Sequence, residues 1–229
     1  MSALVVSEIF GPTFQGEGPS TGRLAMFVRL GRCNLDCSWC DTPYTWDWDR
    51  YDPAIELETM SVGQVIGRLD SIGAPLVVIT GGEPLAQQRS LGELLDHASR
   101  RNWRVEVETN GTISPAPDVV TGVSAFNVSP KLANSGIAAS RRIKPDALRS
   151  LAATGRAHAK FVVADPDELD EVAAIVELAG FADVWIMPEA RSAEALASGL
   201  ATLAPGVLAR GWNLASRLHV QVWGDARGV

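Results

Sequence analysis

Three cysteines, the only ones in a chain of 229 residues, fall within eight consecutive positions. Cys33, Cys37 and Cys40 have the spacing C-x3-C-x2-C in a polar segment whose composition favours turns. A disulfide framework needs more cysteines spread along the chain, and a single disulfide would leave one thiol over. The spacing therefore predicts a loop that binds a metal centre.

The number of thiolates limits which metal centre this loop can hold. A structural zinc uses four ligands, but the three histidines, at positions 97, 158 and 219, are far from the loop in the sequence. Zinc would therefore need a ligand from elsewhere. An iron–sulfur cube also takes four thiolates as a rule, so three cysteines would leave one iron open to another ligand. The sequence leaves a disulfide, a zinc module and an iron–sulfur enzyme as alternatives.

Composition and charge narrow the class of partner. Apolar residues make up 46% of the chain, so it can bury the core of one α/β domain, which we expect to span residues 1–229. The net charge is -7, without blocks of like charge, which argues against nucleic acid or an anionic membrane as a partner. No apolar stretch approaches the ~18 residues of a spanning helix. We expect a cytoplasmic protein with a small-molecule substrate.

The hydrophobic pattern alternates between strands and helices. Ser61 with Gln64, and Asp165 with Glu168, form capping boxes ahead of residues with helical spacing. Such alternation indicates β-α-β units and a mainly parallel sheet. The predicted strands cover residues 25–30, 76–80, 104–109, 124–129, 159–163, 183–187 and 218–223.

Polar clusters follow the first four predicted strands, at residues 33–42, 80–84, 108–112 and 129–131. The carboxyl ends of parallel strands meet at one edge of a sheet, where ligands bind. The four clusters are therefore expected to form one site.

The cysteine spacing after one strand and Gly81-Gly82-Glu83-Pro84 after the next resemble the radical S-adenosyl-L-methionine (radical SAM) superfamily. The resemblance implies a partial (β/α)6 barrel with a mainly parallel sheet, possible changes near the C-terminal half, and a [4Fe-4S] cluster on the three cysteines. It also implies that S-adenosyl-L-methionine fills the open iron position. The residues expected to bind this cofactor are Ser38, Trp39, Gly81, Gly82, Glu83, Glu108, Ser129, Pro130 and Lys131.

Further motifs, at residues 8–18, 26–29, 37–42, 108–112, 129–131 and 223–229, are similar to those of the 7-carboxy-7-deazaguanine synthase family. The resemblance implies a lyase that converts 6-carboxy-5,6,7,8-tetrahydropterin to 7-carboxy-7-deazaguanine by radical ring contraction with loss of ammonia. It implies Mg²⁺ at Thr42, an electron donor such as flavodoxin, and a homodimer. The residues expected to bind the pterin are Phe14, Gln15, Gly16, Glu17, Arg29, Thr80 and the carboxylate of Val229.

Several of these residues also have a structural interpretation. Gly81 and Gly82 would let the backbone approach a cofactor, and Glu83 would offer its ammonium a carboxylate, but this segment could also be a simple turn. Arg29 could bind a substrate carboxylate or be a surface charge, and Lys131 could be solvated. A glycyl-radical activase would share the cofactor chemistry, but it would need a protein-docking face rather than a pterin pocket.

Overall fold

The computed structural model describes residues 2–229, whose strands form one nine-stranded sheet in the order β3-β1-β2-β4-β5-β6-β7-β8-β9. The strands are β1 (Ala3–Phe14), β2 (Leu24–Leu30), β3 (Glu58–Ser61), β4 (Leu76–Gly81), β5 (Arg104–Thr109), β6 (Ala125–Val128), β7 (Ala157–Val163), β8 (Val184–Pro188) and β9 (Asn213–Leu214). The helices are α1 (Pro53–Glu56), α2 (Val62–Ile72), α3 (Gly92–Arg100), α4 (Pro117–Gly122), α5 (Ala139–Arg142), α6 (Pro145–Ala152), α7 (Leu169–Ala179), α8 (Ala193–Ala209) and α9 (Leu218–Trp223).

The strands from β2 to β9, apart from β3, pair in parallel. Helices follow most of them, which is the arrangement that parallel crossovers require. The sheet does not close, because β3 forms one edge and the two-residue β9 the other. The predicted α/β class, a partial barrel with a mainly parallel sheet, is confirmed.

The other end of the sheet is antiparallel and was not expected. β1, a strand of twelve residues, pairs antiparallel with both β2 and β3. It therefore covers the edge of β2 that a sheet of parallel strands alone would leave open. Its register with β2 shifts between Phe10 and Thr13, next to Gly11 and Pro12. Gly11 and Pro12 interrupt the alternation of apolar residues within β1. The hydrophobic pattern of residues 3–14 is therefore only a weak signal for a strand.

Both capping boxes that the sequence predicted are present, and each lies at the start of a helix. Ser61 accepts a hydrogen bond from the backbone N–H of Gln64 (3.3 Å), whose side chain returns to the backbone of Ser61 (2.8 Å). Asp165 and Glu168 form the second box, ahead of a 3-10 turn that leads into α7. These local signals set helix starts independently of the tertiary structure.

The predicted strand at 218–223 is wrong, because this segment forms helix α9. Its alternation of apolar and polar residues resembles a strand, but β9 already occupies the edge of the sheet beside β8. Val220 is buried among Ala190, Leu196 and Leu200, which α9 can reach without pairing with a strand. Tertiary packing therefore overrides the local pattern here.

The largest hydrophobic core lies between the sheet and its helices and includes the fully buried rings of Phe126 and Phe161. In the described part of the chain, each helix is too short or too polar to cross a lipid bilayer.

Candidate active site

A cavity of about 400 Å³ opens at the carboxyl ends of the parallel strands. This volume lies within the range typical of sites that hold a small molecule and a cofactor. The predicted site residues that line it are Phe14, Gln15, Gly16, Glu17, Arg29, Cys33, Cys37, Trp39, Cys40, Thr42, Thr80, Gly81, Gly82, Glu108, Ser129, Lys131 and Val229. Ser38, Glu83 and Pro130 are not among the lining residues.

The three cysteines form one side of this cavity, and all three thiols are free. They pack against the buried side chains of Leu35 and Ile137. Burial raises the pKa of the Cys33 thiol to about 12, which its hydrogen bond from the Leu35 N–H (3.4 Å) does not offset. Without a metal centre, this thiol is therefore protonated at neutral pH, and binding of iron would displace its proton.

The donor set fits a cluster better than a single ion. Within residues 2–229, no group of three or more His, Cys, Asp or Glu side chains is arranged to hold one metal ion. A [4Fe-4S] cube binds each thiolate through a different iron, so its cysteines stand farther apart than the ligands of one zinc ion. Three free thiols packed together on one cavity wall supply the protein ligands for three of the four irons of a cube.

Gly81 and Gly82 are required by close contacts within the chain, and their predicted contact with the cofactor stays a prediction. A Cβ on Gly81 would lie 2.0 Å from the carbonyl oxygen of Leu30, and a Cβ on Gly82 would lie 1.9 Å from that of Arg32. The close approach is therefore to the backbone that enters the cysteine loop. The two glycines let β4 pack directly against this loop, and Gly81 also has a φ of 129°.

Glu83 is completely buried and bonded to its own chain. Its carboxylate accepts hydrogen bonds from the Thr109 hydroxyl (2.8 Å) and the backbone N–H groups of Asn110 (2.7 Å) and Leu85 (2.9 Å). Burial raises its pKa, against the effect of these donors. The structure thus gives Glu83 a role in fixing the turn after β5. Its contact with the cofactor ammonium stays a prediction.

Glu108 connects two of the predicted pterin ligands at the cavity floor. One of its oxygens accepts a hydrogen bond from the Thr80 hydroxyl (2.7 Å) and the other from the Gln15 amide (3.2 Å). Gln15 also accepts a hydrogen bond from the backbone N–H of Glu17 (3.2 Å). The loop after β1 is therefore held against β4 and β5 by polar contacts.

Glu17 lies in a network of charges that the sequence did not reveal. It pairs with Lys160 and with Arg217, whose Nε lies 2.9 Å from its carboxylate. Burial alone would raise the pKa of Glu17, but these two cations hold it well below its ordinary value. Lys160 is the one Lys or Arg in the otherwise largely apolar strand β7. A lone charge in such a strand is the sequence feature from which Lys160 could have been predicted as a site residue.

Arg217 also joins this network to the cysteine loop. Its guanidinium pairs with Asp41, which directly follows Cys40, and donates a hydrogen bond to the carbonyl of Ala190 (2.8 Å). Burial would lower the pKa of Arg217, but the carboxylates of Glu17 and Asp41 raise it overall. This single side chain therefore connects the loop after β1, the cysteine loop and the segment before α9.

His219, on α9, lies so close to the loop after β1 that residue 16 must be glycine. A Cβ on Gly16 would lie 2.1 Å from Nδ1 of His219, so the loop after β1 can pass the ring only as glycine. Burial lowers the pKa of His219, although Glu17 acts in the opposite direction with its carboxylate 3.9 Å from Nε2. The imidazole is neutral at pH 7 and presents one donor and one acceptor to the cavity wall.

Arg29 already has a partner in its own chain. Its Nε donates to Glu8 (2.8 Å), which also accepts from the Tyr44 hydroxyl (3.0 Å) and from Arg227 (2.6 Å). Burial would lower the pKa of Arg29, but the groups around it, Glu8 included, raise it overall. An ion pair between Arg29 and a substrate carboxylate stays a prediction, and any such pair would have to share the guanidinium with Glu8.

Residues 224–229 form part of the same cavity wall. Arg227 holds this segment: besides Glu8, it pairs with Glu56 at 2.8 Å and stacks 3.7 Å from the centre of the Tyr44 ring. Val229 is thereby brought to the cavity, while its contact with the pterin stays a prediction.

Aromatic rings cover much of the remaining surface of the cavity. Phe27 is stacked on Phe10 with their centres 4.9 Å apart, and Phe14 faces Trp223 at 6.2 Å. The Trp39 indole donates a hydrogen bond to Asn134 (3.1 Å), and Lys131 lies over its ring. These rings make part of the wall apolar, which suits chemistry that must be kept from water.

Thr42 and Ser38 have different positions on the cysteine loop. The Thr42 hydroxyl lies on the cavity, 3.7 Å from the sulfur of Cys40, and is one oxygen ligand available to Mg²⁺. A single protein oxygen suits Mg²⁺ when substrate and water supply the others. Ser38 is exposed and does not line the cavity, and its hydroxyl donates to the carbonyl of Ser135 (3.3 Å).

Known proteins with similar sequences and folds agree with this geometry. The family model of the radical SAM superfamily matches residues 28–161, more than half of the chain. A 7-carboxy-7-deazaguanine synthase of Pyrobaculum aerophilum is 38% identical and aligns over 97% of this chain and 96% of its own. The corresponding protein of Rhodopirellula baltica is 32% identical over 100% of this chain and 90% of its own.

The crystal structure of QueE from Escherichia coli has the same fold, with a TM-score of 0.70, 24% identity and coverage of 95% of both chains. The motif-bearing loops, the cavity they form and the alignment along nearly the whole chain lead to one conclusion. The chain belongs to the 7-carboxy-7-deazaguanine synthase family of the radical SAM superfamily.

Proposed function

We propose that this protein converts 6-carboxy-5,6,7,8-tetrahydropterin to 7-carboxy-7-deazaguanine, with loss of ammonia, and so acts in 7-deazapurine biosynthesis. The observation that carries the proposal is that the cysteine loop and the Gln15–Glu17 loop open into one cavity. A radical generated at the first loop would then meet a substrate bound by the second, inside a wall of aromatic rings.

Glu17 and Gln15 bind the amino and lactam edge of the pterin. Lys160 and Arg217 keep Glu17 ionised, so it accepts hydrogen bonds from N–H donors and does not donate. Gln15, fixed by Glu108, supplies an acceptor and a donor of its own. Charge-assisted bonds from N–H groups to an ionised carboxylate orient the ring as well as hold it.

Cys33, Cys37 and Cys40 hold the [4Fe-4S] cluster, and the amino and carboxyl groups of S-adenosyl-L-methionine bind beside it. When bound, this pair supplies the reductive cleavage that starts the radical reaction. Trp39, Glu108, Ser129 and Lys131 contact the nucleoside and methionine parts of the cofactor from the cavity wall. Glu83 also binds the ammonium of the cofactor, and Ser38 and Pro130 contact the cofactor beside it, although none of the three lines the cavity before the cofactor binds.

Thr42 supplies one ligand to a Mg²⁺ ion that also binds the pterin carboxylate. Arg29, Thr80 and the segment that ends at Val229 complete the pterin site. Asp41 lies beside Thr42 but is engaged by Arg217, so we assign it to positioning the loop.

The remaining predictions concern the whole enzyme. We propose that residues 1–229 act as a single domain, that two copies form a homodimer, and that a donor such as flavodoxin reduces the cluster. Free thiols in an iron–sulfur loop need a reducing compartment, which favours the cytoplasm.

The decisive experiment is an anaerobic assay of the iron-reconstituted protein with 6-carboxytetrahydropterin, S-adenosyl-L-methionine, Mg²⁺ and a reductant. We expect 7-carboxy-7-deazaguanine and ammonia in equal amounts, and no product when any one component is omitted. A brown, oxygen-sensitive preparation supports the cluster, whereas a colourless protein with one zinc per chain contradicts it. Absence of the product from a fully iron-loaded protein would favour another radical reaction, such as activation of a partner protein.

A further inference from the structure

We propose that Trp46 is a positioning residue of the cysteine loop and that its indole N–H raises the reduction potential of the metal centre through Cys40. Nε1 of Trp46 lies 3.3 Å from the sulfur of Cys40, within hydrogen-bond distance. Trp46 follows Cys40 by six residues and lies outside the C-x3-C-x2-C spacing. The inference rests on the proposed function, because it takes the three cysteines as ligands of a [4Fe-4S] cluster.

The direction of this hydrogen bond suits a thiolate better than a thiol. An indole N–H can only donate, and the sulfur of a neutral thiol is a weak acceptor. A cysteine that binds iron carries negative charge on its sulfur, and hydrogen bonds to charged acceptors are roughly twice as strong as those between neutral groups. The N–H of Trp46 therefore stabilises Cys40 most when the cysteine binds a metal centre.

Trp46 is half-buried, and its backbone is fixed by the turn that precedes it. Its backbone N–H donates to the carbonyl of Pro43 (3.0 Å). Thr45 is completely buried, its carbonyl accepts a hydrogen bond from the N–H of Arg32 (2.6 Å), and its hydroxyl donates to the carbonyl of Thr42 (2.8 Å). The turn is thus bonded to both ends of the cysteine loop, so the indole is held beside the sulfur before any metal centre binds.

The hydrogen bonds to Cys33 differ from the one to Cys40. Cys33 accepts a bond from the backbone N–H of Leu35 (3.4 Å), which the loop supplies whatever side chain stands at position 35. Nδ2 of Asn110 lies 4.0 Å from the Cys33 sulfur, but it donates to the side chain of Asn34 at 2.9 Å. Among residues 2–229, Trp46 therefore presents the side-chain N–H closest to a cysteine sulfur, and a substitution can remove this donor alone.

The effect of this donor on reduction has a definite sign. Reduction transfers one electron from a low-potential donor, such as dithionite, to the cluster, and no covalent bond forms or breaks. The electron adds negative charge to the cluster and its thiolates, and a nearby N–H stabilises that charge. Hydrogen bonds to the sulfurs are among the factors that set the potential of an iron–sulfur cluster. The cluster should therefore be harder to reduce without the N–H of Trp46.

The test is a redox titration of the iron-reconstituted Trp46→Phe variant with dithionite, followed by electron paramagnetic resonance. Because Trp46 also lines the cavity, the titration omits S-adenosyl-L-methionine and the pterin. Phenylalanine keeps an aromatic ring but has no N–H. We expect the equilibrium constant for reduction to fall by about tenfold, which for a one-electron couple is a shift of about 59 mV to more negative potential.

Trp48→Phe is the matched control. Trp48 belongs to the same segment and is 40% exposed, so its replacement should leave the potential unchanged. Replacement of Trp46 by 3-benzothienylalanine guards against a packing defect, because sulfur takes the place of the indole N–H in a side chain of nearly the same shape. This isostere should lower the potential as much as Trp46→Phe does, with the iron content of the unaltered protein.

The outcomes separate this inference from the proposed function. An unchanged potential with the benzothienyl isostere would overturn the role of the N–H, even if Trp46→Phe lowers the potential or loses iron, since the packing of the ring would then be responsible. If the unaltered protein binds its cluster but makes no 7-carboxy-7-deazaguanine, the proposed reaction fails. The comparison of potentials needs no turnover and still decides the role of Trp46.

Discussion

Two walls of the same cavity are built in opposite ways. The cysteine wall comes from one segment of eight residues and consists of three free thiols, one buried and two half-buried, in contact with Leu35 and Ile137. The wall around Glu17 joins residues 17, 41, 160 and 217 through ion pairs in which the two cations and Glu17 are largely buried and Asp41 is exposed. The first wall is completed only when a metal centre binds, whereas the second already has its charges satisfied. The difference indicates that the first wall is suited to a metal centre and the second to a neutral group with N–H donors, such as the amino edge of the proposed pterin.

The largest effect should come from the cysteine wall. Cys33→Ala, Cys37→Ala or Cys40→Ala should each remove the cluster and reduce activity by more than about a thousandfold, because the cofactor carries the chemistry. The fold should survive, since the main core is separate from the small cluster around the cysteines. Iron content, visible absorbance and thermal unfolding measure these effects. Ser38→Ala, in the same loop but without a thiol to bind iron, should keep its iron; full iron loading in any of the cysteine variants would refute the ligand assignment.

Arg217→Gln tests whether the second wall is an ion-pair network. Removing one partner of a buried ion pair typically costs about 3 kcal/mol or more in the free energy of unfolding, because the largely buried Glu17 loses one of its two cations; the exposed Asp41 adds little. The matched control is Arg210→Gln, whose pair with the exposed Asp170 should contribute less than about 1 kcal/mol. Urea unfolding of both variants decides this, and equal losses would show that the network adds no special stability.

The loss of unfolding free energy in Arg217→Gln should depend on pH, and the sign of this dependence follows from the pKa of Glu17. The pKa of Glu17 is lowered in the folded chain, so its ionisation stabilises the fold above the ordinary titration range, and this contribution is lost as the pH falls through the folded-state pKa. Arg217→Gln raises that folded-state pKa toward the unfolded value. The difference in unfolding free energy between the original protein and the variant should therefore be largest near pH 7 and shrink below about pH 4. A difference that is constant with pH would exclude Glu17 as its source.

Glu17→Gln should weaken pterin binding by about 2 kcal/mol, or about thirtyfold, because a neutral amide replaces the ionised acceptor. Fluorescence titration of the pterin, without reductant, measures the affinity alone. Glu189→Gln, on the same cavity but exposed, should bind normally. Iron content should be unchanged in both variants, so that a loss of iron in Glu17→Gln would mean that the two walls are not independent.

Thr42 lies where the two walls meet, so its removal should have a smaller effect. Thr42→Ala should raise the Mg²⁺ concentration for half-maximal rate by about fivefold, which corresponds to the loss of one modest oxygen contact. Thr42→Ser keeps the hydroxyl and should behave like the original protein. Identical Mg²⁺ curves for all three proteins would leave Thr42 as a residue that supports the loop.

Arg227→Ala should have the smallest effect, because the arginine is 43% exposed although it pairs with both Glu8 and Glu56. We expect the KM for the pterin to rise by about threefold with little change in kcat, since the segment 224–229 becomes a looser wall. Arg50→Ala, an exposed arginine paired with Asp47, is the control. A fall in kcat at constant KM would instead indicate that this segment acts on the reaction itself.

The sequence by itself determined the features that are local. The cysteine loop is one segment, and the helix starts at Ser61 and Asp165 are set by contacts across three residues. The order of strands and helices follows from hydrophobic periodicity, which indicates a parallel sheet with a polar edge. Recognition of the family needed only the motifs that these segments carry.

The tertiary structure alone decided what depends on distant contacts. Whether residues 218–223 form a strand or a helix depended on the edge that β9 had taken. The partners of Glu17 are separated from it by 143 and 200 positions, and no local pattern selects them. The sequence predicted that Gly81 and Gly82 let the backbone approach a cofactor, or form a simple turn, and only the fold revealed that the backbones of Leu30 and Arg32 require them. Periodicity and spacing report on neighbours in the chain, whereas charge pairing and close packing depend on which segments the fold brings together.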